Sequence, residues 1–209
     1  AAHIHDVIMS FEHGYDTVDA IRAMRDGAVR VFVAMGGNWI RATPDSAATE
    51  AAMRRCRLSV QVSTKLNRSH TVTGRRALIL PTLGRTDRDV VDGRPQFVTV
   101  EDSMGVVHRS QGRLAPASAH LRSEVDIVCA LGARVLGDEV VDWTALAHDY
   151  GRIRDRISRV VPGHEDYDER VRRPNGFTLP HGPRDERRFD TATGAAQFAV
   201  SPLRVLRLP

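Results

Sequence analysis

Two glycines and an asparagine, Gly36-Gly37-Asn38, directly follow a run of apolar and β-branched residues. Glycine adopts positive φ without strain and lets backbone N–H groups approach a ligand without an intervening Cβ. Thr43 before Pro44 is typical of a helix N-cap followed by the first helical residue. Ligands bind at the carboxyl ends of parallel strands, and helix N-termini favour anions, so this segment predicts an anion-binding turn. A tight turn with no ligand is the alternative, because neither GxGxxG nor GxxxxGK[ST] is present.

The elements that must position this turn alternate between helix and strand. The sequence predicts an amphipathic helix over 15–27, a strand over 29–35, a helix after Pro44, and strands over 58–62 and 77–81. The first helix carries Val18, Ile21 and Met24 on one face and ends at Gly27. Such alternation predicts an α/β fold with a Rossmann-like parallel sheet and helices on both faces.

The pattern changes at residue 82. The segment QFVTVEDSMGVVHRSQGR predicts two short strands around a loop, a small antiparallel flap at about 82–113. Two core-packing helices are expected next. The first bears an apolar stripe, and the second runs continuously from an N-cap at Asp142 to a stop at Pro162-Gly163. The stripe consists of Leu121, Val125, Val128, Leu131 and Val135. An extended polar connection over 172–188 leads to the closing segment FAVSPLRVLRLP, whose end, PLRVLRLP, resembles a strand.

Composition limits the classes of protein to which this chain can belong. The chain has 209 residues, 30 basic against 26 acidic side chains, and Lys65 as its sole lysine. An arginine-rich surface suits nucleotides, nucleic acid or an acidic partner, although a GC-rich coding sequence gives the same excess. No apolar run approaches the length of about 18 residues that a membrane span needs. Cys56 and Cys129 are too far apart for a CxxC site and are expected to pack as small apolar residues.

Five segments in a fixed order resemble the molybdopterin oxidoreductase superfamily, and within it the formate-dehydrogenase-like alpha subunits. They are MGGNWIRATPD, STKLNRSH, ALILP, VEDSMGVVHRSQGRLAP and LRSEVDIVCALG. The resemblance spans roughly residues 29–137 and continues more loosely to the end. Each motif is weak alone, and the order and spacing carry the specificity.

The resemblance implies a segment of a large cytoplasmic enzyme. Such an enzyme holds molybdenum or tungsten between two molybdopterin guanine dinucleotides and has a 4Fe-4S cluster in an upstream part. It moves two electrons to or from a small substrate such as formate, and it passes them to an electron-transfer partner. This chain would be the middle segment, with a dinucleotide-binding domain over 1–137 and a helical extension and linker over 138–209. The start AAHIHD, without Met, and the end in PLRVLRLP fit a piece of a longer polypeptide. No catalytic residue, metal ligand, nucleic acid or membrane span is expected in it.

The resemblance also implies the residues that hold the dinucleotide. A diphosphate requires N–H donors and arginine, whereas a guanine edge requires a side chain that both donates and accepts. The residues expected at this site are Gly36, Gly37, Asn38, Thr43, Ser63, Thr64 and Lys65. Family members carry an acidic Q-D turn where this chain has STKLN, and Lys65 cannot accept a hydrogen bond. Either phosphate contact replaces base contact here, another residue reads the guanine, or Lys65 is simply solvated.

Other functions remain open from the sequence alone. Glu101, Asp102 and His108 are close enough in sequence for acid–base chemistry, but a histidine in a flap is more often at the surface. Another nucleotide-binding α/β domain, of the thiamin-dependent type, explains the fold but not the ordered motifs. A basic nucleic-acid-binding module is the third hypothesis. Spread arginines and the absence of a recognised motif count against it.

Overall fold

The structure is a computed structural model that describes residues 14–200. The strands are β1 (Val31–Met35), β2 (Leu58–Ser63), β3 (Arg76–Pro81), β4 (Val90–Val91), β5 (Arg94–Pro95), β6 (Val98–Glu101), β7 (Val106–Ser110) and β8 (Phe177–Thr178). The helices are α1 (Thr17–Asp26), α2 (Trp39–Ala42), α3 (Ser46–Met53), α4 (Arg68–Thr71), α5 (Glu124–Leu136), α6 (Trp143–His148), α7 (Gly151–Val160), α8 (Tyr167–Arg172) and α9 (Gly182–Asp185). The closing strand predicted in PLRVLRLP lies outside the described residues.

The described residues form two compact units. Residues 14–96 and 111–148 make the first unit, and residues 97–110 and 149–200 make the second. The first unit contains a three-stranded parallel sheet with helices, and the second contains a small antiparallel sheet. The predicted α/β class is therefore confirmed, together with the antiparallel strands of the flap.

The parallel sheet has the strand order β1-β2-β3, with Val33 beside Val60 and Val60 beside Leu78. Parallel crossovers are almost always right-handed, so an order without reversal sends both connections over the same face. The core lies on that face and includes Met24, Ile40, Ala52, Met53, Cys56 and Val72, with Phe32 of β1 packed against it. Helices over the second face, which the prediction also includes, are not supplied by these two connections.

Local signals explain the first helix. The side chain of Asp16 accepts a hydrogen bond from the N–H of Asp19, and Gly27 ends the helix in the left-handed region at φ 82°. Ile21 and Met24 face the core, as an amphipathic helix requires, whereas Val18, predicted on the same face, is exposed.

Two predictions about the later helices were wrong. The α5 side chains Val128, Leu131 and Val135, expected in the core, are exposed. The buried side of α5 is instead the one with Cys129 and Gly132, where the ring of Trp143 packs directly on the glycine.

The helix predicted to begin at Asp142 is two helices. Asp142 does accept a hydrogen bond from Ala145 N, as the predicted N-cap does. However, α6 ends at His148, and the carboxylate of Asp149 accepts a hydrogen bond from the N–H of Gly151 where α7 begins. An acidic side chain that caps its own following backbone competes with helix continuation.

The second unit is organised around the buried side chain of Arg154. Its guanidinium lies 2.6 Å from the carboxylate of Asp168, donates to the carbonyl of Phe97 at 3.1 Å, and stacks 3.9 Å from the centre of the Phe97 ring. Arg172 also contacts Asp168 at 2.9 Å. Burial raises the pKa of Asp168, but hydrogen bonds from Arg172 and Arg154, and their charges, outweigh it, so the pKa lies below its usual value.

We expect Asp168→Asn to destabilise the chain by about 3 kcal/mol at neutral pH, because the buried Arg154 loses its counter-ion. A carboxylate with a lowered pKa stabilises the fold above its unfolded pKa of about 3.9, and this contribution is lost as the pH falls through the folded value. The difference between variant and parent should therefore shrink below about pH 4. Urea unfolding at several pH values measures both effects.

Glu169→Gln is the matched control, since Glu169 pairs with Arg173 on the surface, with both side chains exposed. Exposed ion pairs contribute little, so this variant should unfold close to the parent. Equal destabilisation by both substitutions would contradict the central role given to Arg154 and Asp168.

Candidate functional site

The turn after β1 has the backbone that its glycines predict. Gly36 and Gly37 adopt φ values of +66° and +69°, which confirms the expected positive φ. A Cβ placed on either glycine would have no atom within 4 Å. The N–H of Gly36 donates to the carbonyl of Val62 at 2.8 Å, which ties the turn to β2. The outer side of the turn is therefore open to a ligand.

Asn38 is held in place by a residue from the next connection. Its Oδ1 accepts a hydrogen bond from the hydroxyl of Ser69 at 3.1 Å. Ser69 is fully buried, and its hydroxyl also accepts from the N–H of Ile40 at 3.1 Å. The amide Nδ2 of Asn38 donates to no acceptor in the described part of the chain. The side chain is thus oriented through its oxygen and retains its two N–H donors.

Asn67 makes the second bond between the two turns. Its Nδ2 donates to the carbonyl of Gly37 at 2.7 Å. Its Oδ1 accepts from the N–H of Ser69, and its own N–H donates to Nδ1 of His70, which completes a capping box at the start of α4. The sequence analysis missed Asn67 and Ser69. An N-cap residue with a side-chain acceptor three positions later was the available signal.

The residues predicted from the turn after β2 lie beside the glycine turn, because β1 and β2 are adjacent as expected. The hydroxyl of Ser63 donates to the carbonyl of Lys65 at 2.7 Å and so closes its own turn. Thr64 is exposed, and its methyl lies 3.9 Å from the Cβ position of Gly84. Lys65 is exposed and forms no ion pair with residues 14–200. Cofactor binding by these three residues stays a prediction.

Thr43 has a different position from the one predicted. It is buried, and its hydroxyl lies 2.7 Å from that of Thr49. The N-cap prediction was wrong: Asp45 caps α3 by accepting from the N–H of Ala48 at 2.9 Å. A carboxylate two residues later competes successfully for the cap because the short helix α2 intervenes and turns Thr43 inward. A cofactor contact of Thr43 stays a prediction.

Two buried nitrogen atoms next to these turns in the sequence have no hydrogen-bond partner within the described range, Trp39 Nε1 and His70 Nε2. Because Nδ1 of His70 accepts a hydrogen bond, the neutral ring carries its hydrogen on Nε2. Both atoms are then unpaired donors, and each costs roughly 1–3 kcal/mol unless a ligand or water accepts from it.

Asp102, one of the candidate acid–base residues in the flap, has a structural role. Oδ1 of Asp102 accepts hydrogen bonds from the N–H groups of Met104 and Val106, which close the turn between β6 and β7. These two bonds outweigh the small effect of burial and hold the pKa of Asp102 below its usual value. Glu101 and His108 lie opposite Val107 and Val100 in the strand register. A carboxylate already committed to two backbone bonds is a poor proton acceptor.

Two other features of the described residues bear on function. Residues 14–200 contain no group of three or more His, Cys, Asp or Glu side chains that could hold a metal ion. Within the same range, no helix is long and apolar enough to cross a membrane. Cys56 and Cys129 are buried, free thiols, as expected, and burial raises the pKa of each.

Comparison with known proteins gives relatives that match nearly all of this chain but are much longer than it. No family model matches the sequence. An uncharacterized oxidoreductase of Mycobacterium tuberculosis (strain H37Rv) is 61% identical over 198 residues, which cover 94% of this chain and 25% of the relative. The protein YdeP of Escherichia coli K12 is 42% identical over 188 residues, which cover 90% of this chain and 25% of that protein. The chain thus spans about a quarter of the length of the curated relatives it matches.

We expect Ser69→Ala to destabilise the first unit by about 1–3 kcal/mol, because it leaves the buried N–H of Ile40 without an acceptor and Asn38 without a donor. Urea unfolding measures the change. Thr71→Ala removes a hydroxyl from the same helix, but that hydroxyl is exposed and bonds only to the carbonyl of Arg68. A change of less than about 0.5 kcal/mol is expected for this control. If both variants unfold alike, Ser69 does not join the two turns.

Proposed function

We propose that this chain binds one molybdopterin guanine dinucleotide as the middle segment of a larger molybdenum- or tungsten-dependent oxidoreductase of the formate-dehydrogenase-like type. Three findings support the proposal. The ordered motifs resemble that family, a relative at 61% identity is named an oxidoreductase, and the relatives are about four times as long as the matched region.

The observation that carries the proposal is the open glycine turn at the carboxyl end of β1. The N–H groups of Gly37 and Asn38 donate to no acceptor within residues 14–200, and Asn38 Nδ2 adds two more donors. A diphosphate offers only acceptors, so these free donors suit it. Lys65, from the neighbouring turn, adds a positive charge. These residues bind and orient the dinucleotide.

The same inventory bears on the guanine base. The Watson–Crick edge of guanine presents N–H donors, which require an acceptor such as a carboxylate. Oδ1 of Asn38 already accepts from Ser69, and the STKLN turn contains no carboxylate. The turn therefore fits the diphosphate better than the base. Of the alternatives left open by the sequence, phosphate contact in place of base contact is the one that this hydrogen bonding favours.

In the proposed enzyme, the chemistry and the recognition of substrate are assigned to parts other than this chain. When bound, the cofactor supplies two-electron oxidation or reduction of a small substrate, for which formate is our proposal. The metal ligand, the 4Fe-4S cluster and the contact with an electron-transfer partner are assigned to the remaining domains of the polypeptide, in the cytoplasm. This chain binds and orients one dinucleotide.

Substitutions in the glycine turn test the proposal in the longer polypeptide. Gly37→Val places a branched Cβ on the open side and opposes positive φ. Asn38→Asp keeps the acceptor for Ser69 but replaces two donors with a negative charge. Both variants should retain their fold and lose about tenfold or more of their bound cofactor, because a diphosphate loses donors or gains a repelling charge. Molybdenum, tungsten and guanine nucleotide per folded protein are the measured quantities.

The matched control is Gly194→Val. Gly194 has the same φ of +69° as Gly37 and likewise no atom within 4 Å of a Cβ, but it lies in the second unit. It should show the same backbone strain without loss of cofactor. Full cofactor content in both folded variants, at Gly37 and at Asn38, would contradict the assignment of the dinucleotide site to this turn. Bound thiamin diphosphate in place of molybdopterin would overturn the enzyme class.

The nucleic-acid alternative has a separate test. Many arginines are paired with acids, among them Arg25, Arg68, Arg122, Arg154, Arg172, Arg173 and Arg184. Paired guanidinium groups contribute little to a phosphate-binding face, so we expect no shift of duplex DNA at physiological salt. A shift that weakens steeply with added salt would favour the basic module instead.

A further inference from the structure

One face of the parallel sheet is apolar, and it is open except at Val62, which lies beside Met35 and is buried. Val31, Val33, Met35 and Leu78 point to the face opposite the helical core and are exposed by 55%, 52%, 44% and 47%. Their strands are paired in register, with Val33 and Leu78 on either side of Val60. The four side chains therefore form one continuous surface, named here the open sheet face, rather than scattered exposed residues.

A parallel sheet with an open face is unusual. Parallel sheets occur almost only with both faces covered, and their strands are apolar on both sides for that reason. In this sheet, residues 31, 33 and 35 of β1 alternate with Phe32 and Ala34, and both sets are apolar. The sequence of β1 is therefore that of a strand covered on both sides, although the two connections of this sheet cover only one.

We propose that helices of the same longer polypeptide, from outside these 209 residues, dock on the open sheet face. The relatives extend to about four times the matched length, so a polypeptide of that size supplies the covering elements. The inference rests on the part of the proposed function that makes this chain a segment of a longer polypeptide, and it does not depend on the cofactor.

The open sheet face also specifies the chemistry of its partner. Val31, Val33, Met35 and Leu78 require an apolar stripe at helical spacing. Arg76 lies on the same face, on the other side of Leu58 from Val31, and it is exposed and forms no ion pair within residues 14–200. An acidic residue at the edge of the docking helix would complement it. The exposed side chains Val128 and Leu131 of α5 are a second apolar strip in the same unit.

Cysteine accessibility tests the docking in the longer polypeptide. Val33→Cys places a thiol on the open sheet face, and Val140→Cys places one on an exposed loop that we do not assign to any contact. The native thiols at Cys56 and Cys129 are buried and so react slowly. Maleimide labelling of native protein, relative to urea-unfolded protein, should be about tenfold or more slower at position 33 and nearly unchanged at position 140.

The remaining outcomes identify what covers the face. In the 209-residue chain, position 33 should label as fast as position 140 at every protein concentration. Fast labelling of position 33 in the longer polypeptide overturns the proposal. Protection that rises with protein concentration also overturns it, because it indicates that a second copy covers the face. Equal protection of position 33 in the 209-residue chain overturns it as well, because residues of this chain then cover the face. Labelling with and without bound molybdenum separates this result from the cofactor proposal, because docking should protect position 33 in both.

Discussion

The hydroxyl of Ser69 joins the turns that follow two neighbouring strands, and the geometry of the candidate site depends on it. It accepts from the backbone of Ile40 and donates to Asn38, while Asn67 holds the carbonyl of Gly37. Two glycines with positive φ have little conformational restraint of their own. The segment after β2 supplies that restraint, so the shape of the first turn is determined largely by side chains about 30 residues away in sequence.

The two units use different polar interactions to fix their structure. Around the glycine turn, the buried hydrogen bonds include pairs of neutral hydroxyls, as in Thr43 and Thr49. In the second unit, a buried guanidinium is paired with a carboxylate and stacked on a phenyl ring. Hydrogen bonds between hydroxyls are insensitive to pH near neutrality, whereas the ion pair depends on the ionisation of Asp168. If the glycine turn binds an anion, as proposed, the residues Gly36, Gly37 and Asn38 present no carboxylate that would repel it.

Sequence reasoning recovered features that depend on local chemistry. Strand positions, the caps at Gly27 and Asp142, and the positive φ of Gly36 and Gly37 all follow from residue type and neighbours. It failed where two local solutions compete or where the answer is tertiary. The segment TPDS holds two good N-caps, Thr43 and Asp45, and only the packing of α2 decides between them. The stripe on α5 is apolar at helical spacing whether or not a partner covers it, so periodicity alone could not tell a core face from an open one.

The hydrogen bond between Asn38 and Ser69 could not be predicted either, because it requires the register of β1 against β2 and the orientation of both turns. Its signal was present in the sequence only as an N-cap, Asn67, followed three residues later by His70. The exposed position of Lys65 has a practical consequence of another kind. It is the only lysine in the 209 residues, and it lies in the turn between β2 and α4. A protease that cuts after lysine has a single target in this chain, so the two fragments it releases report directly on whether that turn is shielded.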